Sequence, residues 1–137
     1  MNQEVKFLGI AHTSFKTVPE VPRCAKDCTE ESTVTFYPEY SDCLVGLENF
    51  SHVFVFAWMH QSDRDLQLVR PHFGAAKKDI GVFATRSPAR PNPIGMTLVK
   101  VNKIEGITLY VTGLDLLDGT PIIDIKKYDT TLDTPDM

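Results

Sequence analysis

The chain has 137 residues, enough for one domain with its own core, and its composition of 42% hydrophobic, 23% charged and 9% aromatic residues excludes a disordered or fibrous protein. A formal net charge of −4 argues against coating nucleic acid by bulk electrostatics, and the longest apolar run, Val53 to Met59, is too short to cross a bilayer as a helix. The opening Met1-Asn2-Gln3-Glu4 has neither a basic segment nor a following apolar stretch, so no secretory leader and no membrane association are expected, and residence is expected to be cytoplasmic. Three cysteines, Cys24, Cys28 and Cys43, make an odd number in such a chain and predict free thiols. Charge is unevenly spread: Arg64 to Lys103 holds eight basic and two acidic residues, so a phosphate-bearing partner can still be met locally.

Taken in chain order, Val5 to His12 alternates and is rich in β-formers, which predicts a first strand. Thr17 to Glu31, with Pro19, Pro22 and two cysteines, reads as a long loop, and loops of that length in small domains are usually functional or mobile. Thr33 to Tyr37 predicts a short strand closed by Pro38, after which Ser41 or Asp42 is placed to cap a helical turn before Gly46. Ser51 to His60 is the strongest strand. Val53, Val55, Ala57 and Met59 lie on one face, His52, Phe54, Phe56, Trp58 and His60 on the other, and both faces ask for cover. A short helix is expected near Asp63 to Val69 and a strand at Val82 to Thr85. Met96 to Ile104 and Ile107 to Leu114 form a hairpin about Glu105-Gly106, and a last strand, Ile122 to Lys127, follows the Asp118-Gly119 turn and Pro121. With no sustained helical period and no repeat, the expected fold is mainly β, a single small closed barrel over residues 1–137 with few short helices.

The segment Gly81 to Gly95 is the most unusual. Pro88, Pro91 and Pro93 stiffen it, and Arg86 and Arg90 offer planar, permanently charged forks suited to a carboxylate or phosphate; the competing reading is a rigid connection whose arginines pair with surface carboxylates. Asp115 to Asp118, in a turn before Gly119, sets two carboxylates among backbone amides, which suits a ribose hydroxyl or an amino group but is also a common structural turn. Cys24 and Cys28 lack a second close pair, and His12, His52, His60 and His72 show no zinc spacing, so no metal is expected. Glu31 stands where a third cysteine of a radical-enzyme iron–sulfur loop would be. Glycine-rich phosphate loops and Gly-x-Ser-x-Gly elbows are absent, which leaves ATP hydrolysis and serine esterase chemistry without support.

Four blocks carry a family resemblance: Phe36 to Tyr40, Leu47 to Val53, Gly81 to Gly95 with its Thr-Arg-Ser-Pro-x-Arg-Pro-Asn-Pro-Ile-Gly core, and Asp115 to Lys126. In them the sequence resembles the TrmO family, also called TsaA-like or YaeB-like, of S-adenosylmethionine-dependent tRNA methyltransferases. The resemblance implies a homodimeric barrel with S-adenosylmethionine bound near the subunit interface. It also implies methylation of the exocyclic 6-amino nitrogen of threonylcarbamoyl-adenosine next to the tRNA anticodon. By motif position the cofactor would meet Pro22, Arg23, Cys24, His60, Gln61, Arg86, Met96, Asp115, Leu116, Leu117 and Asp118. Asp118 or Tyr128 is expected to take the proton, and Lys77, Lys78, Arg90, Asn92 and Lys126 to engage the acceptor. Arg86 and the Asp115 to Asp118 turn suit the cofactor's carboxylate and diol on chemical grounds as well. Two other functions fit the residues: transfer to a small-molecule or protein acceptor, favoured by the acidic balance, and a non-catalytic nucleotide-binding barrel.

Overall fold

A computed structural model describes residues 1–22, 25–70 and 78–136. Within them the strands are β1 (Gly9–His12), β2 (Glu31–Phe36), β3 (His52–Trp58), β4 (Leu68–Val69), β5 (Ile80–Gly81), β6 (Ile94–Glu105), β7 (Thr108–Thr112) and β8 (Pro121–Lys127), followed by a four-residue helix α1 (Thr130–Asp133). Six strands form an antiparallel closed barrel in the order β1, β2, β7, β6, β3, β8, with β8 paired back onto β1. Closure removes the unpaired edges that a six-stranded open sheet would expose. β4 and β5 pair with each other as a separate ribbon. No helix among the described residues is long and apolar enough to cross a membrane.

The barrel interior follows from the two-residue period of the strands. Val34 and Phe36 of β2, Val53, Val55 and Ala57 of β3, Val99 of β6, and Leu109 and Val111 of β7 all point inward and are buried, and Leu114, Leu116 and Ile122 join them. Each fully buried Val, Leu or Ile side chain contributes about 1.5–3 kcal/mol. The two-residue β6–β7 connection relies on Gly106 at φ 58°, a left-handed conformation that only glycine adopts without strain.

Several expectations are corrected. β1 begins at Gly9 and not Val5. The turn after β2 is a 3-10 segment, Pro38–Leu44, whose cap position is Tyr37, because Pro38 presets the first helical φ; neither Ser41 nor Asp42 caps it. Val82–Ala84 is a 3-10 turn behind the two-residue β5, so the predicted strand there is absent. No helix forms over Asp63 to Val69: the Asp63 side chain accepts the Asp65 amide at 2.7 Å, a local turn that competes with helix, and Leu68–Val69 pairs with β5. The helix α1 is not expected from residue pattern; its cap is the Asp129 side chain accepting from the Thr131 amide at 3.0 Å. Among the described residues, β3 is fully covered on its inner face, whereas Phe54, Phe56 and Trp58 on the outside are half-buried.

Candidate functional site

The proline-rich loop is held by its own polar groups. Thr85 Oγ1 donates to the Val82 carbonyl at 2.8 Å, the Ser87 amide donates to Thr85 Oγ1 and the Ala89 amide to Ser87 Oγ, both at 3.2 Å. The half-buried Arg90 donates through one terminal nitrogen to the carbonyls of Ser87 at 2.9 Å and Thr85 at 3.3 Å, and through the other to that of Val82 at 3.1 Å. From outside the loop, Arg64 donates to the Pro91 carbonyl at 2.8 Å and to Asn92 Oδ1 at 3.3 Å while stacking on Trp58. Arg86 is exposed and, among the described residues, has no hydrogen bond or ion pair. The two arginines therefore play different parts. Neither shows the surface carboxylate pairing that the competing sequence reading required.

Arg86 opens onto a groove of about 580 Å³ on the outside of the barrel. Its floor is Phe54 and Phe56 of β3, with Met96 of β6, and its cationic rim is Arg86, Lys126 and Lys127; Leu132 and Asp133 of α1 form a wall. The strand register builds this arrangement, since Met96 stands opposite Phe56 on one side of β3 and Lys126 opposite Phe54 on the other. Tyr128 packs edge-on against Phe54 at 5.9 Å between ring centroids and against His52 at 6.4 Å. A second groove, of about 460 Å³, lies at the far end of β6 against Glu48 to Ser51 and contains none of the expected site residues.

The Asp115 to Asp118 turn behaves as two unlike halves. Thr97, facing inward from β6, donates its hydroxyl to Asp115 Oδ1 at 2.8 Å, and burial pushes the Asp115 carboxyl above its ordinary pKa against the opposing effect of that bond. Asp118 accepts from the Lys16 ammonium at 2.9 Å and from the Thr13 amide at 2.9 Å, and these bonds hold it below the ordinary carboxylate range, the Lys16 bond having the larger effect. Asp118 is thus the weaker base of the two and a poor choice as the expected proton acceptor. Its turn also fastens the end of β1, through Gly119 to the Ala11 carbonyl at 2.9 Å and Thr13 Oγ1 to the Leu116 carbonyl at 2.8 Å. Leu116 is buried and Leu117 half-buried, and their carbonyls accept from the Thr13 hydroxyl and the Thr120 amide.

The structure thus brings Arg86, Met96 and Lys126 together, with Tyr128 edge-on to Phe54 on the same outer face. Met96 and Thr97 are neighbours on β6 that point to opposite faces, so the groove and Asp115 back onto the two sides of one strand. His60 and Gln61 are exposed in a turn joined to the loop through the Met59 amide and the Pro93 carbonyl at 2.7 Å. Pro22 is half-buried beside the 3-10 turn Ala25–Asp27, which packs near β6. Lys78 and Asn92 are exposed; Arg23, Cys24 and Lys77 lie outside the described residues. Cys28 is buried, with its thiol pushed up chiefly by burial and donating to the Leu114 carbonyl at 3.6 Å, while Cys43 is exposed; both are free. Sequence reasoning missed Phe54 and Phe56, whose signal was the apolar outer face of β3, and Thr97, Lys16 and Thr13, which carry none.

Comparison with known proteins bears on this geometry. Residues 10–134 match the tRNA-methyltransferase O N-terminal domain family. An S-adenosyl-L-methionine-binding protein of Archaeoglobus fulgidus is 41% identical over 130 residues, covering 94% of this chain and 91% of that one. A tRNA (adenine(37)-N6)-methyltransferase of Mus musculus is 46% identical over 101 residues, covering 72% of this chain but 22% of the mouse protein. The crystal structure of TrmO from Pseudomonas aeruginosa superposes with a TM-score of 0.81 at 33% identity, covering 98% of this chain and 60% of that one.

Proposed function

The chain belongs to the tRNA-methyltransferase O family, and on that premise we propose that it is an S-adenosylmethionine-dependent tRNA adenine methyltransferase acting in the cytoplasm. The observation that carries the reading is Arg86, a guanidinium with no partner among the described residues, held by a preorganised loop at the rim of an aromatic-floored groove. The residues fit the cofactor. Arg86 suits its carboxylate, and Phe54 and Phe56 offer faces to its adenine or its cationic centre; Asp115, which bonds to the Thr97 hydroxyl on the other side of β6 and does not line the groove, stays in the proposal on the family resemblance, for a ribose diol or amine. Pro22, Arg23, Cys24, His60, Gln61, Leu116 and Leu117 complete the proposed site. Asp118 enters it as the anchor of the turn.

When bound, the cofactor supplies an electrophilic methyl group for direct displacement by a nitrogen lone pair. The chain's own work is alignment and exclusion of water, together with an acceptor for the departing proton. Of the two residues expected to receive that proton, we keep Tyr128, edge-on to Phe54 of the groove floor, because both oxygens of Asp118 are engaged. We take the acceptor to be the 6-amino nitrogen of threonylcarbamoyl-adenosine, whose carboxylate suits a rim carrying Lys126 and Lys127. Lys77, Lys78 and Asn92 belong to the proposed tRNA contacts.

A homodimer is part of the proposal. Among the described residues, Ile94, Met96 and Leu98 of β6 remain 40–42% exposed on the same outer face as the half-buried Phe54, Phe56 and Trp58, and a second copy is the cover we propose for this face. That cover would also place the groove at the subunit interface. Calorimetry with S-adenosylmethionine, followed by mass spectrometry of nucleosides from tRNA with and without the threonylcarbamoyl group, tests the reading. Methylated adenosine only in the threonylcarbamoylated tRNA is the expected result. Cofactor binding without transfer to either tRNA would favour a different acceptor, and absence of cofactor binding would leave a non-catalytic barrel.

A further inference from the structure

Arg86 and Arg90 lie four residues apart in one loop, and the structure gives them opposite surroundings. The Arg90 guanidinium bonds to the carbonyl of Thr85, immediately before Arg86, and to that of Ser87, immediately after it. A third bond reaches the Val82 carbonyl, and the Arg90 amide is itself tied to the Asp63 carbonyl at 3.0 Å. Pro88 follows Ser87 and restricts that residue's backbone. The main chain that presents Arg86 is therefore gripped on both sides by one terminal nitrogen of Arg90, while the other nitrogen anchors the guanidinium plane at Val82. A lysine ammonium radiates its three donors from one atom, so it cannot keep both the carbonyls flanking Arg86, which one guanidinium nitrogen meets, and the Val82 carbonyl, which the other nitrogen meets.

We propose that Arg90 is a positioning residue for cofactor binding: by bonding the carbonyls that flank Arg86, it sets where the Arg86 guanidinium stands at the groove. The assignment rests on the reading that Arg86 holds the cofactor's carboxylate, and it replaces the expectation that Arg90 contacts the acceptor. It follows that charge alone at position 90 is not sufficient. A phosphate contact would tolerate lysine, whereas a clamp would not.

The test is a double-mutant cycle of Arg90→Lys and Arg86→Ala, with S-adenosylmethionine affinity read by calorimetry and folding by thermal unfolding. Arg90→Lys alone should weaken binding about tenfold or more, raising KM for S-adenosylmethionine while kcat at saturation stays within about twofold, because misplacing a binding group by an ångström is costly. In the Arg86→Ala background the same change should alter affinity by less than about twofold. Equal losses in the two backgrounds, or wild-type affinity in Arg90→Lys, would overturn the proposal. Unchanged affinity in Arg86→Ala alone would instead sink the cofactor reading of Arg86. Proton exchange measured by NMR on the unliganded wild-type chain judges the clamp without any variant. The Arg90 terminal guanidinium hydrogens should exchange slowly and those of Arg86 fast, and fast exchange at Arg90 refutes the clamp even where Arg90→Lys does not fold.

Discussion

Replacing Leu98 by Glu should separate the proposed dimer into folded monomers. Leu98 stands on β6 opposite Phe54 and is 40% exposed, beside Met96 at 40% and Ile94 at 42%. Covering four-tenths of an aliphatic side chain is worth about 0.6–1.2 kcal/mol, taking ~1.5–3 kcal/mol for full burial. Three such residues on each of two copies give ~4–7 kcal/mol, which reaches only the low end of the ~4–15 kcal/mol cost of association. The half-buried Phe54, Phe56 and Trp58 must therefore be covered too, and the centre of the interface falls on the β3–β6 face. In a two-fold contact one substitution introduces two unpaired carboxylates, each costing several kcal/mol when desolvated, so the dissociation constant should rise by about a thousandfold or more. Sedimentation velocity from low to high micromolar concentration, with Val45→Glu as a surface control, reads the result; Val45 is 83% exposed in the chain. A wild-type chain that sediments as a monomer throughout, or a Leu98→Glu variant that dimerises like wild type, would refute the reasoning.

Arg86→Ala should weaken S-adenosylmethionine binding about ten- to hundredfold, the scale of a charge-assisted contact worth ~1.5–3 kcal/mol, while leaving the melting temperature unchanged because Arg86 has no internal partner among the described residues; calorimetry beside thermal unfolding checks both halves. The two turn carboxylates should respond to pH with opposite signs. Asp118 is held below its ordinary range, so its contribution is full above the unfolded value of about 4 and is lost as pH falls through the folded one; Asp118→Asn should lower the melting temperature at pH 7 by an amount that shrinks in acid. Asp115 is raised by burial, so its cost to stability grows as pH rises from about 4 through its folded value; Asp115→Asn should raise the melting temperature at pH 7, with the gain fading in acid. Thermal melts from about pH 3 to pH 8 that move in the same direction for both variants would contradict this assignment. Gly9→Ala should destabilise by about 1–3 kcal/mol in denaturant titration, since a Cβ there would lie 2.4 Å from the Thr35 carbonyl oxygen of the paired strand, and near-wild-type stability would show that β1 can shift.

Residue pattern made the barrel legible where alternation and turn chemistry agree. The β6–β7 hairpin about Gly106 and the alternation of β3 are local facts, each readable within about ten residues. Val82 to Thr85 has strand composition but folds as a 3-10 turn because the Thr85 hydroxyl bonds back to the Val82 carbonyl and Arg90 grips the same oxygen. The Asp63 side chain likewise defeats the helix expected after it. The site was legible as chemistry and not as allocation. Arg86 and Arg90 look alike in sequence, as do Asp115 and Asp118; what separates them is a set of partners as far away as Thr13 and Lys16, beyond the reach of local pattern.

Those two pairs share a physical logic. In each, one member is committed inside the fold: Arg90 to three loop carbonyls, Asp118 to an amide and an ammonium. The committed member removes the conformational freedom of the turn, while its twin keeps hydrogen-bonding capacity in hand: among the described residues Arg86 has no partner, and Asp115 accepts from the Thr97 hydroxyl and its own backbone amide. A ligand then meets groups whose backbone is already ordered, so less entropy is lost on binding than if the same charges stood on flexible loops. This matters most in a small barrel, where one strand must serve several ends. β6 packs Thr97 and Val99 inward, shows Met96 to the groove and leaves Leu98 for the proposed partner, so rigidity has to come from polar clamps in the adjoining turns. The stiffness of the Pro88 to Pro93 segment, together with its Arg90 and Arg64 clamps, is the physical reason that a single exposed guanidinium there is able to act as a defined binding group.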